Sequence, residues 1–138
     1  MWYYNDEVYD PEVPPEGAVG FVYRVQHLET GRKYLGKKLL WSRRKTTVKG
    51  KKKYVTKESD WRTYYGSSKQ LQEEIKENGN DKYHREILRL CETKGEMSYY
   101  EAKYQFDNDV LLSDEYYNEF IGCKIHSKHL KRTNNGSK

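Results

Sequence analysis

GFVYRVQHLETGRKYLGKK, residues 20–38, is the stretch that decides the fold. Its alternating apolar residues predict a strand over residues 21–28, and the sequence ETGR is typical of a turn. A second strand is expected over residues 32–40. A β-hairpin should therefore open the folded domain, and the flanking sequence is interpreted around it.

The register of this hairpin brings two tyrosines together. If residues 28–31 form the loop, Tyr23 pairs with Gly36. Tyr34 then lies on the same face as Tyr23, as its diagonal neighbour about 7–8 Å away. Because glycine has no side chain, a ligand backbone could approach Tyr23 there. The prediction is two phenols beside a notch, and a simple packed aromatic pair is the alternative.

A strongly basic segment follows the hairpin. Residues 32–62 contain thirteen lysines and arginines against Glu58 and Asp60. β-branched residues on both sides of Lys49-Gly50 predict a two-stranded arm inserted at residues 37–60. Because like charges repel, such a block favours phosphate binding over ordinary surface decoration, with a disordered basic loop as the alternative. The expected DNA contacts are Arg43, Arg44, Lys45, Lys49, Lys51, Lys52 and Lys53.

The residues after the arm predict a helix, a strand and a second helix. Ser67 or Ser68 can cap a helix through KQLQEEIKEN. A third strand is expected over residues 82–91, and the second helix should start near Glu96 or Ser98. The fold class is therefore mixed α+β, in one domain.

The two ends of the chain differ in charge. Residues 1–19 contain three prolines and five carboxylates without a basic residue, which predicts an irregular acidic leader. The domain itself is expected over residues 20–125, and residues 126–138 form a basic tail. Cys123, His126 and His129 lie close together in that tail, but a zinc site needs a fourth ligand, so a basic surface tail is the preferred interpretation.

The composition excludes membrane-spanning and secreted classes. Hydrophobic residues make up 35% of the 138 residues, charged residues 34%, and the net charge is +5. No run approaches the ~18 apolar residues of a membrane span, and the start lacks a basic, apolar signal pattern. The chain is expected to be soluble and cytoplasmic, with its two cysteines as thiols.

The sequence FVY at residues 21–23 and YLG at residues 34–36 resemble the hallmark of the GIY-YIG nuclease superfamily. In that family a helix after the third strand carries one essential glutamate, which is the order expected here. WRTYYGSSKQL, NGNDKY and REIL also resemble small phage-encoded members, many of them homing or Seg-like endonucleases. The resemblance covers about residues 20–125. It implies a DNA endonuclease acting in the host cytoplasm if the chain is phage-encoded.

Glu101 falls where the family glutamate would. It lies on the core-facing stripe of Met97, Tyr100 and Tyr104 in the expected second helix. A carboxylate there is costly unless it is paired or binds metal. The resemblance implies that Glu101 holds one Mg²⁺ or Mn²⁺ ion that keeps most of its waters. A half-exposed glutamate bonded to a tyrosine hydroxyl is the alternative.

The resemblance also implies roles for three other residues. Tyr23 or Tyr34 would orient the attacking water or accept its proton, and a phenolate would need nearby cations because a free phenol has a pKa of about 10. Asn118 resembles a late asparagine of the family that would support the site, with an ordinary polar residue at a helix end as the alternative.

A cation must stabilise the charge that develops on phosphorus. Many members place an arginine about ten residues beyond the second tyrosine, where this chain has Arg43 and Arg44 in the basic arm. Members with an inserted arm favour Lys37 instead, although strict alternation puts Lys37 on the face opposite Tyr34. Arg62, which precedes YYGSS, is the other favoured candidate.

Two competing interpretations remain open. The sequence EAK at residues 101–103 matches the E-x-K of restriction-type nucleases, but it reads as helix and no aspartate-bearing strand precedes it closely. A non-catalytic protein that binds nucleic acid would need the arm, but it would not need Tyr23, Tyr34, Gly36 and Glu101 in register. The expected substrate is double-stranded DNA, and the protein would be a monomer or homodimer.

Overall fold

The computed structural model describes residues 1–122, which form seven strands in two sheets and two helices. The predicted mixed α+β class is confirmed. None of the helices in this part of the chain is long and apolar enough to cross a membrane. The elements are β1 Trp2–Tyr4, β2 Glu7–Tyr9, β3 Gly20–His27, β4 Lys33–Leu39, β5 Trp41–Val48, β6 Lys51–Glu58, α1 Lys69–Asn78, β7 Tyr83–Cys91 and α2 Lys94–Asp107.

The hairpin β3–β4 has the predicted register. Tyr23 pairs with Gly36, and the backbone N–H of His27 donates to the carbonyl of Arg32 at 2.8 Å. Gly31 takes a φ of +76° in the turn, a conformation that glycine adopts without steric cost. In the main sheet the strand order is β2-β1-β7-β3-β4, so β4 lies at an edge.

The prediction of an irregular leader was wrong for residues 2–9. β1 pairs with β2 and, in parallel, with β7. Trp2 is 2% exposed, and its indole N–H donates to the carbonyl of Trp61 at 2.7 Å. The prolines that suggested irregular structure lie at residues 11–15, after these strands. Buried aromatic area therefore orders the start of the chain.

The main sheet is covered on both faces. Tyr23 faces a core that includes Trp61 and the α1 residues Leu71 and Ile75. Alternate residues of β3 face the opposite way, where Val22 packs with Met97 of α2. Side chains from the two faces are therefore separated by the sheet except at its edges.

Both helices begin at a polar cap. The side chain of Ser68 accepts a hydrogen bond from the backbone of Leu71, as predicted for α1. Thr93 accepts from the backbone N–H of Glu96 at 3.0 Å, so α2 begins at Lys94. The predicted start of α2 was therefore slightly late, because the T-x-x-E capping signal was overlooked.

The basic arm is the two-stranded ribbon β5–β6. Lys49 and Gly50 both have positive φ values, +52° and +76°, as a tight hairpin turn requires. Buried Leu40 and Trp61 flank the two ends of the arm, and Ser59 donates its backbone N–H to the carbonyl of Leu40 at 2.9 Å. The structure therefore contains a two-stranded arm that is fixed to the core at both ends, but the predicted bounds of 37–60 were too wide, because residues 37–39 pair with β3 as part of β4.

The chain returns to the edge of β4 after α2. The backbone N–H of Lys33 donates to the carbonyl of Glu115 at 2.7 Å, and Tyr117 donates to the carbonyl of Lys33 at 2.8 Å. Residues 115–117 therefore cover the exposed edge of β4 at Lys33. The predicted basic tail and the cluster of Cys123, His126 and His129 lie outside the described residues.

Candidate active site

A pocket of about 400 Å³ opens beside the edge strand β4. Its walls come from β4, the start of α1, one side of α2 and the segment after Tyr117. Because β4 has no neighbouring strand there, side chains from both faces of the sheet reach the pocket. Four of the predicted site residues line it together: Tyr34, Lys37, Glu101 and Asn118.

Tyr34 presents its hydroxyl to this pocket. The hydroxyl shares a hydrogen bond of 2.8 Å with the hydroxyl of Ser67, just before the cap of α1. Burial raises the pKa of Tyr34, and the Ser67 hydrogen bond partly opposes that shift. Tyr34 is therefore a neutral phenol at neutral pH, which can both donate to and accept from a water molecule.

Tyr23 stands behind Tyr34 and does not line the pocket. It is 1% exposed, and its ring centroid lies 6.2 Å from that of Tyr34 and 6.0 Å from that of Tyr64. Burial, followed by the Tyr64 and Tyr34 phenols, raises the pKa of Tyr23 well above 10. This environment favours the neutral hydroxyl over a phenolate base.

Two glycines make room for the tyrosine pair. A Cβ atom on Gly36 would lie 2.6 Å from the Tyr23 hydroxyl and 2.9 Å from Cε2 of Tyr34. The predicted open notch was therefore wrong, because the phenols themselves fill it. Gly66, which was missed from the sequence, has a φ of +119° and packs against the Tyr34 ring. A Cβ atom on Gly66 would lie 3.2 Å from Cδ2 and Cε2 of that ring. The glycine of YYGSS, directly before the helix cap, was the available signal.

Lys37 and Glu101 meet across the sheet edge. The Lys37 ammonium donates to the hydroxyl of Ser98 at 2.8 Å and lies 4.0 Å from the Glu101 carboxylate. Burial raises the pKa of Glu101, and the Lys37 ammonium and backbone amide oppose that shift. Lys37 does face away from Tyr34, as alternation predicted. Because the pocket wraps around an edge strand, both side chains still reach it.

The side chain of Asn118 is buried and forms hydrogen bonds with the backbone at the edge of β4. Its side-chain oxygen accepts from the backbone N–H of Leu35 at 3.1 Å, and its amide donates to the Leu35 carbonyl at 2.8 Å. Gln105 of α2 donates to the same carbonyl at 3.0 Å. The two amides therefore take the place of a neighbouring strand. Gln105 carried no sequence signal beyond its place in α2.

A family model described as "Putative endonuclease segE, GIY-YIG domain" matches residues 2–121. The chain belongs to this family. No match was found among curated proteins or among solved structures. Membership of a GIY-YIG endonuclease family supports nuclease function, with a nucleic acid as substrate. The match starts in β1, so the leader strands lie within the GIY-YIG domain.

The structure does not bring Arg62 to the pocket beside β4. Its guanidinium donates to the carboxylates of Asp10 and Glu58 at 2.8 Å and 3.0 Å and lies over the Trp61 ring. Arg62 therefore holds the leader to the domain. The other arginine candidates, Arg43 and Arg44, lie in the arm. Of the predicted cations, Lys37 therefore lines the pocket, and Lys69 at the start of α1, which was missed, lines it as well.

The donor set of the pocket fits one hard cation. Glu101 supplies a carboxylate in the pocket wall, and Glu119, which was missed, supplies another on the segment after Tyr117. Within residues 1–122, no group of three or more His, Cys, Asp or Glu is placed to hold a metal. Few protein ligands suit Mg²⁺, which usually keeps several waters and is bound through one or two carboxylates and phosphates.

Proposed function

We propose that this GIY-YIG protein is a metal-dependent endonuclease of the phage homing type that hydrolyses phosphodiester bonds in double-stranded DNA. The observation that carries the proposal is the convergence of Tyr34, Lys37 and Glu101 on one pocket. These side chains come from opposite faces of the sheet and from α2. A nucleic-acid-binding protein without chemistry has no need for that convergence.

Tyr34 orients the attacking water molecule. Its neutral hydroxyl accepts or donates a hydrogen bond to the attacking water, and Ser67 fixes the direction of the phenol. Tyr23 packs behind it and limits the movement of the ring. This role needs no phenolate, in agreement with the raised pKa of both tyrosines.

Lys37 is the group that stabilises negative charge on the phosphate. An ammonium placed where charge develops in the transition state is worth more in a partly desolvated pocket than in water. The side chain of Lys37 is 35% exposed, and its contact with Glu101 is a loose 4.0 Å. It can therefore turn toward a phosphate without breaking a tight ion pair.

Glu101 would hold the divalent cation, Mg²⁺ or Mn²⁺. When bound, such an ion supplies Lewis-acid stabilisation of the phosphate and the leaving oxygen. Glu101 must be ionised for this purpose, and Lys37 favours its ionised form. Lys37 therefore favours the ionised, metal-binding form of Glu101 before any substrate is bound.

The basic arm binds the phosphates of the DNA. Its seven predicted contact residues are all exposed on β5, β6 and the turn between them. Contacts of this kind position the enzyme on phosphates without reading sequence. Since Tyr34, Lys37 and Glu101 meet at one pocket within residues 1–122, each chain should nick one strand per event, as a monomer or as one half of a homodimer.

Nicking of supercoiled plasmid tests the proposal. The wild type should convert plasmid to the open-circular form with Mg²⁺ or Mn²⁺ and should stop in excess EDTA. Glu101→Gln should remove the activity, while Glu77→Gln, on the exposed side of α1, serves as the charge-matched control. If the folded wild type binds DNA but does not cut any plasmid or branched substrate, the non-catalytic binding function replaces this one.

A further inference from the structure

Cations occupy both faces of the β5–β6 arm. Side chains of successive strand residues point to opposite faces, and cross-strand partners share a face. The pairs Arg43–Thr56, Lys45–Tyr54 and Thr47–Lys52 therefore define a first face. Its cations are Arg43, Lys45 and Lys52. The second face carries Arg44, Lys51, Lys53 and Lys57.

These cations are not neutralised within residues 1–122. All seven are exposed, and the salt bridges of the described residues include none of them. The carboxylate in the arm, Glu58, lies at the root and accepts from Trp61 and Arg62. The arm thus carries unpaired positive charge on two opposite surfaces.

A ribbon that lies flat on DNA would use one face and leave the other in solvent. Charge on the unused face would add repulsion without adding contacts. A groove bordered by phosphates on both sides satisfies both faces at once. The major groove of B-DNA, about 12 Å wide, admits a two-stranded ribbon, whereas the minor groove is only about 6 Å wide.

We propose that the arm enters the major groove of duplex DNA between the two phosphate backbones, with one basic face toward each. The inference rests on the proposed DNA substrate and adds the mode of binding. A-form RNA is a poor partner, because its major groove is deep and narrow. Buried Leu40 and Trp61 fix the arm to the core, so the arm is a rigid projection of the domain rather than a flexible loop.

The dimensions and the remaining side chains agree with this mode. Each strand has eight residues, so the ribbon is roughly 26 Å long at about 3.3 Å per residue. Tyr54, Val55 and Val48 are exposed among the cations, at 57%, 50% and 47%. Tyr54 lies on the first face and Val48 and Val55 on the second, so in a groove they would pack beside the cations against the deoxyribose carbons of each backbone.

Two triple variants distinguish a ribbon in the groove from one lying flat. The first-face variant is Arg43→Gln, Lys45→Gln, Lys52→Gln, and the second-face variant is Arg44→Gln, Lys51→Gln, Lys53→Gln. The control with the same charge change is Lys76→Gln, Lys82→Gln, Lys94→Gln, which is exposed and outside the arm. The measurement is the dissociation constant for a 30-base-pair duplex at several salt concentrations.

Each face variant should lose about 2.7 from the salt slope of the wild type, since each phosphate contact contributes about 0.9. The control should keep most of the slope, and thermal unfolding should show all three variants folded because the arm is separate from the core. Loss in only one face variant would show a flat-lying arm, and loss in neither would show that the arm does not bind. Either result overturns the proposal.

Chemical probing gives a second readout. Guanine N7 faces the major groove, so the wild type should protect it from dimethyl sulfate and both face variants should lose that protection. Unprotected N7 positions in a saturated complex would overturn the proposal. Binding and cleavage are measured separately, so a protein that fills the groove without cutting would contradict only the nuclease proposal. If both face variants cut DNA as well as the wild type does, that result would contradict only the groove proposal.

Discussion

The Nζ atom of Lys37 lies 4.0 Å from Oε1 of Glu101, and the two residues come from β4 and α2. The carboxylate is only 14% exposed, so burial raises its pKa while Lys37 opposes the shift. A buried carboxylate that is held by one loose cation costs folding free energy. The cost agrees with the proposed role of Glu101 in binding a metal ion, and it has measurable consequences.

Replacing Glu101 should separate stability from activity. Because burial raises the folded-state pKa of Glu101, the stabilising contribution of its protonated form is present at low pH and is lost as pH rises through that pKa. At neutral pH the ionised group is therefore unfavourable for folding. Glu101→Gln should unfold at the same or a higher urea concentration, while cleavage falls about 100-fold or more. A clearly less stable variant would contradict this account of the carboxylate.

The pKa of Glu101 should respond to Lys37. Lys37→Gln removes the group that lowers this pKa, so the midpoint should move further upward. The carbon-13 chemical shift of the Glu101 carboxyl, followed against pH, reports the midpoint directly and requires no catalytic activity. Lys103→Gln, which breaks an exposed pair with Asp107 on the same helix, provides the control. An unchanged midpoint in Lys37→Gln would mean that the two groups do not interact in solution.

The two tyrosines should differ in their effects on cleavage. Tyr34 reaches the pocket, whereas Tyr23 is 1% exposed and lies behind it. Tyr34→Phe should therefore reduce cleavage by about 100-fold or more, with DNA affinity nearly unchanged. Tyr23→Phe should reduce cleavage less, through looser packing of Tyr34. Single-turnover rates at saturating protein measure both, and the reverse ranking would make Tyr23 the group that contacts water.

Gly36 should tolerate no side chain. A Cβ would lie 2.6 Å from the Tyr23 hydroxyl, and the buried rings around it cannot move away freely. Overpacking of this kind costs about 1–3 kcal/mol, and Gly36→Ala should also lose cleavage because Tyr34 is displaced. Gly122→Ala, where the nearest atom is 3.6 Å away, is the control for the stability measurement. Chemical denaturation and plasmid nicking check both effects, and a stable, active Gly36→Ala variant would refute the packing argument.

The features that could be predicted from the sequence depend on local rules. The register of β3–β4 follows from a two-residue period and a turn that ends in Gly31. The capping serine of α1 and the positive-φ turn of the arm are also local signals. Tyr34 and Glu101 could be nominated because a known family motif marks both. Their convergence at a sheet edge required the three-dimensional structure.

The features that could not be predicted depend on distant partners. Trp2 meets Trp61 across 59 residues, and no local pattern records that contact. The space beside Gly36 looks open in sequence, but the rotamers of two phenols decide that it is filled. Arg62 seemed free for catalysis because its leader partner, Asp10, was interpreted as irregular chain. Each error came from treating a segment without its tertiary neighbours.

Asn118 should contribute mainly to stability, because its side-chain oxygen and its side-chain NH₂ group both form hydrogen bonds with the backbone of Leu35. Asn118→Ala leaves a buried backbone N–H without a partner, which costs about 1–3 kcal/mol. Asn118→Asp keeps the acceptor for that N–H but places an oxygen against the Leu35 carbonyl, so it should be at least as destabilised at neutral pH. Acidifying the buffer protonates the aspartate and restores a donor, so the deficit relative to wild type should shrink. Urea denaturation at two pH values measures this. An aspartate variant as stable as wild type at neutral pH would show that the edge of β4 does not depend on this amide.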